Sequence, residues 1–98
     1  MHFIVLGYDG NDKQALERRL AARKAHLEMG KKLHEKQKWI YAAAILDKEG
    51  KMNGSIILCN FKSEEELHKE WLDHEPYVKG KVWEKVEVKR VQPAAFDR

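Results

Sequence analysis

The chain lacks a second cysteine. Cys59 stands alone among 98 residues, so no internal disulfide can form, which suits a reducing cytoplasm. It also lacks a long hydrophobic run: nothing approaches the roughly 20 apolar residues of a membrane span, and Met1–Leu6 has no basic leader or cleavage motif beside it. Charge of one sign is missing too. Nineteen Lys and Arg face 16 Asp and Glu, for a net +3, without the clustered excess expected of a nucleic-acid surface. Glycine-rich phosphate loops and nucleophile elbows are absent. So are internal repeats, low-complexity tracts and linkers. These absences predict one cytoplasmic, non-membrane domain over 1–98, with 93–98 as a loose tail, and no nucleic-acid partner.

What is present reads as alternating strands and helices. Phe3 to Tyr8 is a short apolar run that ends at Asp9-Gly10, a strand and a turn. A helix follows from about Asn11 to Lys38, with Asn11 or Asp12 as its cap. Trp39–Leu46 and Gly54–Phe61 are apolar runs joined by the charged turn Asp47–Lys51, which predicts a hairpin. Ser63 with Glu66 forms a capping box for a short second helix, with Leu67, Trp71 and Leu72 inward and an end before Pro76. Val82–Val91 supplies a last strand. The order β-α-β-β-α-β is the ferredoxin-like arrangement of an α+β fold: four antiparallel strands with two helices on one face. The other sheet face is left uncovered. Phe3, Val5, Ile57, Cys59, Phe61 and Trp83 exceed the needs of one helix layer, and a homodimer with sheets face to face is expected.

His26 is the most informative residue. At about 100° per residue, Leu16, Leu20, Ala22, Leu27, Met29 and Leu33 gather on one arc of the long helix. His26 lies near its middle, flanked by Arg19, Arg23 and Gly30. Lys24, Glu28, Lys32, Glu35 and Lys36 take the opposite side. Cations turned towards a core require partners, since a buried unpaired charge is very costly. A core histidine satisfied by a neighbour is the plain alternative to a site. Gly30 fits either close packing or pocket space.

Asp73-His74-Glu75-Pro76-Tyr77 offers the missing acid. Pro76 fixes the backbone there, and a carboxylate beside an imidazole orients one ring nitrogen for acid–base chemistry. Spacing alone leaves Asp73 and Glu75 both open as that carboxylate. Cys59 reads as a buried hydrophobe. His34, His68 and His74 show no metal-like spacing, so no zinc site is predicted. The strand order also builds an RNA-recognition module, but its run of basic, glycine and aromatic residues is missing.

Four segments together resemble the YciI-like (YCII-related) family of the dimeric α+β barrel superfamily. They are Arg23-Lys24-Ala25-His26-Leu27, Gly54-Ser55, Trp71 through Tyr77-Val78, and Val82–Val88, within a resemblance running from about Phe3 to Val91. In that family an aspartate before the proline pairs with the helix histidine as a catalytic dyad. The resemblance implies that His26 and Glu75 are catalytic, with Glu75 in the aspartate's place and Asp73 as the alternative acid. It further implies a pocket between helix and sheet edge, to which Arg23, Ser55 and Tyr77 contribute as substrate-binding residues. Ala43 departs from the family, which often has a Gly-Pro pair there. Relatives with an assigned reaction are acid–base enzymes on small ring compounds, such as a chlorinated hydroxyquinol. The expectation is a small enzyme of lyase, isomerase or hydrolase type acting on a ring or acidic metabolite, with no cofactor or metal implied. The alternative is a dimeric small-ligand-binding or accessory module without turnover.

Overall fold

In the computed structural model, which describes residues 1–96, strands β1 (His2–Asp9), β2 (Trp39–Leu46), β3 (Met52–Asn60) and β4 (Trp83–Val91) form one antiparallel sheet in the order β2-β3-β1-β4. Besides helices α1 (Ala15–Glu35) and α2 (Glu64–Glu70), two pieces that the sequence did not announce follow α2. These are a single 3₁₀ turn, Leu72–His74, and a four-residue helix α3, Pro76–Lys79. The fold is ferredoxin-like α+β, as expected. No described helix is long and apolar enough to cross a membrane. Residues 92–96 carry no regular structure, and 97–98 of the predicted tail lie outside the described residues.

The chain's local chemistry accounts for these elements. Ser63 Oγ accepts the Glu66 N–H at 3.1 Å, which caps α2. The Glu66 carboxylate reaches back one residue further than a capping box requires, to the Lys62 N–H. Asp47 closes the β2–β3 turn by accepting the N–H groups of Glu49 and Lys51 with one oxygen. At α1, Asp12 precedes the helix and pairs with Arg18 at 2.8 Å, and the cap position itself falls on Gln14.

Period-two alternation decides which residues meet the helices. Phe3, Val5 and Gly7 on β1 and Ser55, Ile57 and Cys59 on β3 point to the helix layer and are buried. This corrects the expectation that Phe3, Val5, Ile57, Cys59, Phe61 and Trp83 overfill that layer. All six are buried beneath it, because the segment from α2 through α3 adds Leu67, Trp71, Leu72 and Tyr77 to the same core. The open face carries the alternate set, including Ile4, Leu6, Ile56 and Leu58, each half-buried in the single chain.

The face of α1 also needs correction. The buried residues are Ala15, Arg19, His26, Gly30 and Leu33. Leu20 and Leu27 are exposed at 55% and 48%. The buried stripe is centred on His26, as expected, but two of the leucines lie outside it. Gly30 is explained by packing: a Cβ there would stand 2.5 Å from the Trp39 ring.

Candidate active site

Two basic side chains of α1, two turns apart, point into the core and meet acids from opposite ends of the chain. Arg19 meets Asp9. The alternation that buries Phe3, Val5 and Gly7 carries on to Asp9, whose side chain is 2% exposed. Arg19 Nη1 donates to Asp9 Oδ1 and Oδ2 at 2.9 and 3.0 Å, and Nη2 donates to Ser55 Oγ at 2.7 Å. Burial pushes the Asp9 carboxyl up, and the Arg19 charge draws it back down. Trp83 Nε1 donates to the same Ser55 Oγ at 3.3 Å. That ring lies over Gly7, where a Cβ would come within 2.3 Å of it.

His26 meets Glu75. The connection leading to α3 fixes that acid: Glu75 precedes a proline, which favours extended backbone, and it sits at φ −63°, ψ 124° as the N-cap of α3. Its side chain is fully buried. Oε1 accepts the Tyr77 backbone N–H at 3.1 Å and lies 2.5 Å from His26 Nδ1; Oε2 accepts Trp71 Nε1–H at 2.7 Å. An ionised carboxylate only accepts, and against it Nδ1–H is the donor. Nε2 of the neutral ring is then left with its lone pair. That atom has no partner among the described residues and is not one of the sealed polar atoms.

The imidazole is held on its faces as well as its edge. Tyr77 stacks on it with centroids 3.8 Å apart and planes 10° from parallel. Arg19 Cζ in turn lies 4.7 Å from the Tyr77 ring centroid. Burial pushes the Tyr77 phenol above its ordinary value, with Arg19 and Arg23 opposing. At neutral pH it therefore stays protonated, a hydrogen-bond donor rather than a base. Its hydroxyl makes no bond among the described residues and is likewise unsealed.

Both residues line a cleft of about 210 Å³ between α1 and the β2–β3 hairpin. Arg19, Arg23, His26, Ser55 and Tyr77 line it, with Leu27, Ala42, Ala44, Met52 and Ile57 as apolar wall. Ala43, the departure noted in the sequence, is part of this lining. Of the predicted residues, His26, Glu75, Arg23, Ser55 and Tyr77 are thus brought to one place. Asp73 is not. Its carboxylate is 63% exposed and lies 3.7 Å from His68.

Sequence reasoning missed Asp9, Trp71 and Trp83 as parts of this site. Asp9 carried a signal, the fourth term of the series Phe3, Val5, Gly7. Trp71 had none, because an inward tryptophan reads as core whether or not its N–H finds a carboxylate. Among the described residues no group of three or more His, Cys, Asp or Glu could hold a metal ion.

A model of the YCII-related domain matches residues 1–92. The chain belongs to the YCII-related family. Among solved structures it is similar to the 5-chloro-2-hydroxyhydroquinone dehydrochlorinase TftG from Burkholderia phenoliruptrix AC1100, in complex with 2,5-dihydroxybenzoquinone. The identity is 21%, with 96% of each chain covered and a TM-score of 0.81. It is also similar to protein Atu4242 from Agrobacterium tumefaciens, at 15% identity, covering 98% of this chain and 96% of that one, with a TM-score of 0.55. At such identities the two structures bear on the fold. No curated protein matches the chain. In this YCII-related chain a glutamate, one methylene longer than an aspartate, occupies the position before the proline and reaches the helix histidine.

Proposed function

We propose that this YCII-related protein is an acid–base enzyme acting on a small ring compound or acidic metabolite, with His26 as the proton-transferring group and Glu75 as the residue that orients it. The observation that carries the reading is the 2.5 Å contact between His26 Nδ1 and Glu75 Oε1 in a histidine that lines the cleft and whose Nε2 is unsealed and without a partner among the described residues. Both Glu75 oxygens are already engaged by donors. Glu75 therefore fixes the tautomer and balances the imidazolium charge, and His26 alone exchanges a proton with a ligand. In the forward step Nε2 takes a proton from a ring carbon, and the C–H electron pair becomes a π bond. That pair then expels a leaving group, in a lyase, or is reprotonated at another carbon, in an isomerase. Tyr77 Oη donates to the oxygen on which negative charge develops. The similarity to a dehydrochlorinase that binds a dihydroxybenzoquinone supports a ring substrate.

The same reading takes the active form to be a cytoplasmic homodimer closed over the open sheet face, where Ile4, Leu6, Ile56 and Leu58 supply the apolar centre. The lone buried Cys59 suits that compartment.

The test is proton exchange. Hydroxyquinols and unsaturated lactones incubated with the protein in D₂O are expected to exchange ring protons, seen by NMR. His26→Asn should slow that exchange by about 10²–10⁴. Ligand shifts without any exchange would instead establish a binding module, and exchange that His26→Asn leaves unchanged would overturn the role of His26.

A further inference from the structure

The charge arrangement of the cleft narrows its ligand beyond a ring compound, and this step rests on the cleft being the binding site proposed above. Three basic side chains line it. Arg19 is consumed: its two terminal nitrogens bond Asp9 and Ser55, and Nε is sealed from the cleft. His26 is backed by Glu75. Arg23 forms no ion pair among the described residues, and it is exposed at the rim. Both buried acids face their own donors, so no carboxylate in the lining competes for Arg23. The opposite wall, Ala42, Ala44 and Ile57, presents no charge at all.

We propose that the cleft selects a single-ring monoanion, whose one negative charge is held by Arg23 and whose reacting carbon lies beside His26 Nε2. One uncompensated cation matches one anionic group. A second negative charge would find no second free cation, only the neutral Tyr77 hydroxyl and apolar wall, where burial of a charge is costly. Size points the same way, since about 210 Å³ falls below the roughly 300–1,000 Å³ of pockets for drug-sized ligands. Spacing then places the chemistry. Arg23 and His26 are three residues apart on α1, hence neighbours about 5–6 Å apart at Cβ on one helix face. The proton moved therefore sits on the same ring as the anionic substituent, not on a remote chain.

The experiment compares benzoate, its neutral isostere benzamide and the dianion phthalate, with binding read by calorimetry and by the NMR signals of His26 and Tyr77. In the wild type, benzoate is expected to bind about tenfold or more tighter than benzamide, as a charge-assisted contact allows, and tighter than phthalate. Arg23→Gln should equalise the acid and the amide, and Arg23→Lys should keep part of the preference. Arg23 is exposed, so the substitution spares the core. Equal binding of acid and amide in the wild type would overturn the proposal. So would a preference that survives Arg23→Gln, or the failure of every probe to shift His26 and Tyr77 at millimolar concentration. Turnover is measured apart from this. A protein that prefers benzoate through Arg23 yet exchanges no ring proton keeps the monoanion site and loses the enzyme.

Discussion

Arg19–Asp9 and His26–Glu75 are two buried ionisable pairs on one helix face, seven residues apart, yet they leave very different residues behind. In the first, a permanent cation and its acid are joined by two short contacts, and Ser55 takes a further donor. Nothing remains for a ligand, and the pair ties α1 to β1 and β3. In the second, Glu75 spends both oxygens and His26 spends one nitrogen, and Nε2 stays free. A histidine in such a pair keeps a second functional atom, whereas this arginine keeps only an Nε sealed in the core. The difference between scaffold and candidate catalyst here lies in the residue type, not in burial, for Arg19 and His26 are 2% and 6% exposed.

The largest effect should come from breaking the scaffold pair. Arg19→Met leaves Asp9 buried without its cation, and breaking one side of a buried pair costs about 3–5 kcal/mol. That is a large share of the roughly 5–15 kcal/mol that holds a domain folded. The urea midpoint should fall accordingly. A midpoint near wild type would mean that Arg19 and Asp9 separate readily and that the pair is no scaffold.

Glu75→Gln is the matching cut in the other pair. The amide keeps the shape but presents only one acceptor oxygen to three donors, at a stability cost of about 1–3 kcal/mol. Its main effect should fall on the imidazole. The far-downfield proton signal expected of a short Nδ1–H bond should vanish, and any exchange activity should drop about 10²-fold or more as the tautomer is lost. A variant that loses stability as badly as Arg19→Met while keeping its activity would make Glu75 the scaffold and reverse the assignment.

Between these, Gly30→Ala tests the packing that seats His26. A Cβ would meet the Trp39 ring at 2.5 Å, and Trp39 leans on the imidazole with centroids 5.5 Å apart. Overpacking costs about 1–3 kcal/mol, against the roughly 1 kcal/mol that alanine gains in a helix. A net loss in thermal stability, with a shifted His26 ring signal, is expected. A stabilised variant would show that the indole moves freely.

Legibility in the sequence followed the range of the forces involved. The four strands, α1, α2 and the β2–β3 turn were readable because alternation, caps and turn residues act within a few positions. The open sheet face was readable as a fact but misassigned in its residues. Whether Phe3 or Ile4 faces the helices depends on how much helix there is, and α3 was hidden in a four-residue stretch opened by Pro76. The leucines of α1 misled for a related reason. Leu20 and Leu27 belong to the same helical arc by hydropathy, yet only the part of it around Arg19 and His26 is buried, where Asp9 and Glu75 pair with them. The His26–Glu75 contact was legible through the resemblance alone, and residue spacing left Asp73 equally open.

That last ambiguity gives the smallest effect and the sharpest control. Asp73 and Glu75 are two residues apart on one connection, and both carry the carboxylate that an imidazole could use. The backbone separates them: Glu75 turns inward as the N-cap of α3, and Asp73, within the 3₁₀ turn, is directed outward beside His68. An exposed pair at 3.7 Å contributes about 0–1 kcal/mol at most. Asp73→Asn should therefore leave the denaturation midpoint within about 0.5 kcal/mol of wild type, with the His26 Nδ1 proton signal and any exchange rate unmoved. If Asp73→Asn instead shifted that signal while Glu75→Gln did not, the acid serving His26 would be the exposed one. The connection would then have to rearrange in solution to bring Asp73 inward.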